Sequence, residues 1–169
     1  NRINSLPTVQ ANGVNNGMLL ASLAAQPAWS LFFVGRRITA ISGERNILSV
    51  DDYGPDGVYY LFQSNGAVNS NRGSITGTTV TTGLAMAYCL FGNASSSTIR
   101  SSDNVSGTTA ANYSKASSPF RLFRRGDGFY ANHEIAEMLF YPSVLGTSDR
   151  TTIWTYFSTR YGTAIPATP

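Results

Sequence analysis

The sequence predicts an all-β protein closed by one C-terminal helix. Three observations carry this reading. Apolar runs of strand length recur about every ten residues, with Gly, Pro, Asn and Asp turn signals between them. No helical pattern alternates with those runs, which excludes a parallel α/β sheet. The one substantial helical pattern comes last, in the stretch 129–162, FYANHEIAEMLFYPSVLGTSDRTTIWTYFSTRYG. That stretch reads as a long apolar strand, a short turn and an amphipathic helix. A chain of 169 residues fits one domain and buries roughly 70% of its unfolded surface.

The elements follow in order. Residues 1–17 are polar and turn-rich, with Asn12-Gly13 and Asn16-Gly17 between short strands at 8–11 and 18–20. Residues 22–26 are compatible with a single helical turn. Residues 29–38 (WSLFFVGRRI) are apolar on both alternating faces, as a central strand buried on both sides requires. Residues 46–50 form a short strand, followed by the acidic turn DDYGPDG at 51–57. Further strands are expected at 58–63, 67–69, 73–82, 85–92 and 98–102. Residues 103–118 are a polar region around Tyr113. In the strand 120–124, alternation sets Phe120 and Leu122 on one face and Arg121 and Phe123 on the other.

In 134–141, alternation sets Glu134, Ala136, Met138 and Phe140 against Ile135, Glu137, Leu139 and Tyr141. Pro142 ends that strand, because it has no N–H for the ladder. Ser148 is the expected helix N-cap, with Asp149 favoured at the positive end of the dipole. Ile153, Trp154, Phe157 and Tyr161 form the apolar stripe, and Gly162 is the left-handed C-terminal cap. The sandwich is expected over 1–163, with 164–169 (AIPATP) as a terminal linker or tail.

Composition narrows the class. Charged residues are 12%, against about 25% in an average domain, and Ser, Thr, Asn and Gly take their place. The 42% hydrophobic content is too high for disorder. Net charge is +3, with Lys115 the only lysine. So small a charge predicts no nucleic-acid partner. No apolar run is long enough to span a bilayer, so no membrane insertion is expected. Cys89 stands alone, which excludes an internal disulfide and fits a small core residue.

The ends of the chain resemble a known family. Ile135-Ala136-Glu137, the apolar run 138–141, Ser148-Asp149 and Tyr161-Gly162 are similar to the C-terminal signature of concanavalin A-like lectin/glucanase (laminin-G-like) domains. LPTVQANGVNNGMLL and PAWSLFFVGRRI resemble that family's opening strands. The resemblance implies an antiparallel jelly-roll β-sandwich with the helix against one side. It further implies a non-catalytic role, often glycan binding and sometimes with calcium, in a virion protein or at an extracellular or cell surface. The partners expected are therefore a glycan or other virion or surface subunits, with oligomerisation open. A capsid-decoration or tail-joining protein is the first alternative, and a polysaccharide hydrolase or lyase the second.

Candidate site residues come from the polar turns. Asp51, Asp52 and Asp56 cluster beside glycines, which makes this turn a candidate calcium site, although it is not an EF-hand loop. The expected ligand contacts are Asp52, Tyr53, Asp56, Arg72, Tyr113 and His133, with His133 in a loop at the sandwich rim. Arg121, Arg124 and Arg125 make a basic patch suited to a carboxylate. Arg125-Gly126-Asp127 matches an integrin tripeptide, but so short a motif in a turn is weak evidence. A retaining glycosidase needs two carboxylates about 5 Å apart on one sugar. The spacing of Glu134 and Glu137 places them on opposite faces of a regular strand, so no catalytic residues are expected.

Overall fold

The computed structural model describes residues 2–39, 45–50, 58–64, 67–70, 75–79, 83–102, 106–109, 118–124 and 130–167. Along them run β1 (Arg2–Ile3), β2 (Leu6–Pro7), β3 (Val9–Gln10), β4 (Met18–Leu23), β5 (Ala28–Arg37), β6 (Arg45–Val50) and β7 (Val58–Ser64). Then come β8 (Ala67–Ser70), β9 (Ile75–Thr79), β10 (Ala85–Asn93), β11 (Ser97–Ser101), β12 (Ser106–Thr109), β13 (Ser118–Leu122), β14 (His133–Tyr141) and α1 (Thr147–Tyr161).

Two six-stranded sheets result, with orders β12-β11-β10-β5-β14-β3 and β4-β13-β6-β7-β8-β9, and β1-β2 forms a separate hairpin. Pairing is antiparallel throughout the described ladders. The main core lies between the sheets. Trp29, Leu31 and Phe33 of β5 and Tyr88 and Leu90 of β10 meet Ile47 and Leu48 of β6 and Phe120 and Leu122 of β13. The Phe33 and Tyr88 rings stack at 4.7 Å, and Phe120 meets Phe140 edge-on across the sheets at 5.4 Å.

A second core lies on the outer face of the first sheet. Phe32 and Val34 of β5 and Ala87 and Cys89 of β10 pack there against Ile153, Trp154, Phe157 and Tyr161 of α1 and Ile3 of the hairpin. β5 is therefore buried on both faces, as its two apolar faces predict. The Cys89 thiol is fully buried, and desolvation pushes its pKa up, outweighing the nearby Arg150 and Arg100 cations.

Four local expectations are corrected. Residues 22 and 23 continue strand β4 instead of starting a helical turn. The polar region contains β12, paired to β11 by Thr and Gly rather than by large apolar residues. Phe123 sits at φ 62°, in the left-handed region. That turn carries its ring into the same core as Phe120 and Leu122, where alternation would have exposed it. Lastly, the N-cap of α1 is Gly146, with no side-chain cap bond. The Arg150 guanidinium organises that end instead, donating from Nη1 to the Leu145 carbonyl at 2.6 Å and from Nη2 to Thr147 Oγ1 at 3.1 Å. Gly162 closes the helix at φ 71°, and its N–H donates to the Ser158 carbonyl.

Candidate ligand-binding rim

Strand register determines which connections share an end of the sandwich. In the second sheet Val50 pairs with Val58, Phe120 pairs with Val50, and Ser70 pairs with Ile75. Val50, Val58, Ser70, Ile75 and Ser118 therefore lie at one end of that sheet. In the first sheet Asn93 pairs with Ala28, Ser97 with Thr109 and Tyr141 with Ser30. Leu23 pairs with Ser118, so β4 feeds β5 at that same end. The turns 94–96 and 142–146 thus share one rim with the strand ends Val50, Val58, Ser70, Ile75, Thr109 and Ser118, which border the connections 51–57, 71–74 and 110–117. Asp51, Asp52, Tyr53, Asp56, Arg72 and Tyr113 belong to those three connections and lie outside the described residues.

The described part of this rim is firmly built. Asn93 Oδ1 accepts from the N–H groups of Ser95 and Ser96 at 2.7 and 2.9 Å, an Asx-type turn. Ser30 Oγ donates to the Ser143 carbonyl at 2.9 Å and accepts from the Leu145 N–H at 3.0 Å, which fixes the turn after Pro142. The Arg150 guanidinium lies 4.8 Å from the Phe91 ring centroid. A shallow cleft of about 230 Å³, lined by Tyr141, Leu145, Asp149, Thr152 and Ile153, opens beside it. The sequence gives one hint of this cleft, the Pro142 break followed by Asp149 in the first helical turn.

His133 is not part of that rim. It pairs with Arg37, at the end where β5 leaves toward β6, which is the opposite end of the sandwich. Nor is it a loop residue: it opens β14 and is fully buried. Its ring packs over Gly35, where an added Cβ would meet Nε2 at 3.1 Å. Neither ring nitrogen has a hydrogen-bond partner among the described residues. Burial, reinforced by the Arg37 cation, pushes its pKa down to about 3. The expectation of a ligand contact at His133 is therefore corrected. Strand pairing extends one residue further toward the chain start than the apolar pattern indicates.

Glu134 and Glu137 are also corrected. Ile135 pairs with Gly35 and Glu137 with Val34, so Ala136 is an extra residue, a β-bulge. Glu134 pairs with Arg36. Val34 and Arg36 share a face, so the two glutamates share it too, the face that carries α1 and the hairpin. Both carboxylates have structural partners there. Glu134 is fully buried, ion-paired to Arg36 Nε, and accepts from Thr8 Oγ1 at 2.7 Å. Glu137 accepts from the hydroxyls of Tyr156 at 2.9 Å and Tyr161 at 2.5 Å. Arg160 Nε lies 3.6 Å from Glu137 Oε2. Partial burial and the bond to Glu137 push the Tyr161 phenol up to about 12.

Of the basic patch, Arg121 and Arg124 are half-buried. The Arg124 guanidinium sits 6.0 Å from the Tyr130 ring centroid, and its stem lies against Gly17, where a Cβ would come within 2.3 Å of Arg124 Cδ. Arg125, Gly126 and Asp127 lie outside the described residues. Among the described residues no group of three or more His, Cys, Asp or Glu could hold a metal ion. No helix among them is long and apolar enough to cross a membrane.

Solved structures share this architecture. A Trypanosoma rangeli sialidase in complex with sialic acid superposes with a TM-score of 0.69 at 13% identity, over 90% of this chain and 28% of that one. The native heptameric SAP-like pentraxin from Limulus polyphemus gives 0.65 at 12%, over 86% and 80%. The Ruminococcus gnavus IT-sialidase CBM40 bound to α2,3 sialyllactose gives 0.55 at 11%, over 80% and 94%. The fold is a jelly-roll β-sandwich. The chain thus spans little more than a quarter of the sialidase but most of the pentraxin and of the CBM40. At these identities the likeness extends to the fold alone. No protein-family model and no curated sequence matches the chain.

Proposed function

We propose that this domain is a non-catalytic glycan-binding module, serving adhesion at the surface of a cell or virus particle. The observation that carries the reading is that the strand ends bordering 51–57, 71–74 and 110–117 lie at one end of the sandwich. The connections between those ends contain two acids, Asp52 and Asp56, two phenols, Tyr53 and Tyr113, and Arg72. A tyrosine ring suits the C–H face of a sugar, and arginine suits a sugar carboxylate. The acids suit hydroxyls, or a calcium ion held by Asp51, Asp52 and Asp56. The fold shared with a sialidase and a CBM40 supports the ligand class. The absence of catalysis is supported by Glu134 and Glu137, whose carboxylates are occupied by Arg36, Thr8, Tyr156 and Tyr161.

A panel of neutral and sialylated oligosaccharides and polysaccharides, probed with and without calcium, tests the proposal. Binding is expected, and Tyr53→Ala and Arg72→Ala each weaken it roughly tenfold, about 1.4 kcal/mol. Asp52→Asn removes any calcium-dependent part. Silence across the panel in both conditions overturns the reading. Release of sugar by the wild-type chain, abolished by Glu137→Gln, overturns the claim that it is not an enzyme.

A further inference from the structure

The basic patch at the exit of β13 is arranged by one unusual backbone position. Strict alternation would turn Arg124 inward with Phe120 and Leu122. Phe123, at φ 62°, enters the inter-sheet core in its place. Arg124 therefore emerges on the outer face of the second sheet, the face of Arg121. Two contacts place it there. Ser49, the cross-strand partner of Arg121, donates from Oγ to the Arg124 carbonyl at 2.8 Å. Arg124 also forms an isolated antiparallel bridge with Tyr130, whose ring centroid is 6.0 Å from its guanidinium.

This side chain is held in place but not satisfied. Its stem crosses Gly17, where a Cβ would come within 2.3 Å of Arg124 Cδ, so glycine leaves room for that path. Stacking on Tyr130 fixes the guanidinium end. Yet Nε is buried without an acceptor, and Arg124 forms no ion pair among the described residues. The described acids are elsewhere: Glu134 and Glu137 on the helix side of the first sheet, and Asp149 in α1. A half-buried cation without a counter-charge loses hydration without compensation. An arginine already held in one conformation has less entropy to lose on binding. Leu19, across from Arg121 and 63% exposed, shows that the face is open to solvent at this point.

We propose that Arg124 and Arg121 form an oxyanion site for an acidic saccharide, receiving its carboxylate or sulfate group on the outer face of the second sheet. The planar guanidinium fork matches either group with paired hydrogen bonds. With the described acids on the far side of the molecule, the local field favours an acidic ligand over a neutral one. The choice of a saccharide rests on the glycan-binding reading; the choice of an oxyanion does not. The site is separate from the rim. Arg124 follows the exit of β13, whereas the rim lies at its entry, Ser118.

Titration of the whole chain with oligogalacturonate, a sulfated oligogalactan and neutral oligogalactose tests this, read by calorimetry and by the Nε–H NMR signal of Arg124. At least one acidic probe is expected to bind about tenfold or more tighter than the neutral one, and to move that signal in the wild type. Comparing the two acidic probes separates carboxylate from sulfate. Arg124→Gln should remove the preference for acid. Arg124→Lys, which keeps the charge but not the fork, should remove only part of it. Both variants are checked for an unchanged circular-dichroism spectrum, and the wild-type signal decides the matter if either misfolds. An acidic probe that leaves the Arg124 signal unmoved, or binds Arg124→Gln as tightly as wild type, overturns the site and leaves the rim reading to Tyr53→Ala and Arg72→Ala. No response to any of these probes also overturns the site, while binding elsewhere in the saccharide panel keeps the rim reading.

Discussion

At the scale of single residues, His133 has the clearest consequence for stability. Its folded pKa lies near 3, below the 6.5 of an unfolded histidine. Above pH 6.5 neither state binds the proton and stability is unaffected by it. As pH falls from 6.5 toward 3, the unfolded chain takes up a proton that the folded chain refuses, so stability is lost at up to about 1.4 kcal/mol per pH unit. Urea melts of wild type and His133→Leu between pH 7 and 4 check this: the variant should show the shallower acid slope, and parallel slopes would refute it. Gly35 makes the imidazole's position possible. A Cβ at 35 would lie 2.8 Å from the Glu134 carbonyl as well as against the ring. Gly35→Ala should therefore cost about 1–3 kcal/mol by overpacking, read as a fall in the denaturation midpoint. Neither feature can be read from the sequence, where a lone histidine before an apolar run looks like a loop residue.

At the scale of elements, α1 is held by its packed stripe rather than by intrinsic helicity. Thr151, Thr152 and Thr155 are weak helix formers, and each donates its hydroxyl to the carbonyl four residues back. Trp154 and Phe157 are completely buried beneath the helix. Trp154→Ala should cost about 3–5 kcal/mol, and thermal unfolding should show it, whereas Thr155→Ala should be neutral or slightly stabilising. The strands, the helix, its stripe and its glycine cap are legible in the sequence, because period-two and period-3.6 patterns reflect burial directly. The exceptions are departures from periodicity. The bulge at Ala136 reverses the relation between Glu134 and Glu137, and the left-handed Phe123 turns a ring that alternation exposes into the core. Both depend on pairing with strands far away in the chain, which local pattern does not contain. Deleting Ala136 should restore strict alternation while keeping Glu134 opposite Arg36 and Glu137 opposite Val34, so both carboxylates stay on the helix face. Retention of the folded circular-dichroism spectrum is the expected result, and its loss would refute this.

At the scale of the whole molecule, the two ends of the sandwich differ in character. One end holds His133 and Gly35 in close packing with the backbone of Glu134, and the other carries the strand ends that border the polar connections. The composition of those connections is legible in the sequence, but the meeting of their bordering strand ends at one rim is not. It follows from the register of strands up to about a hundred residues apart. That same register places His133 at the opposite end, while the other five candidate contacts lie outside the described residues. These three connections are short, separate stretches of the gene. Under the proposed glycan-binding role, changes confined to these few codons would alter the ligand while the two described cores, built from other stretches, keep their residues. Descendants of one such scaffold would share a shape long after they had ceased to share a ligand.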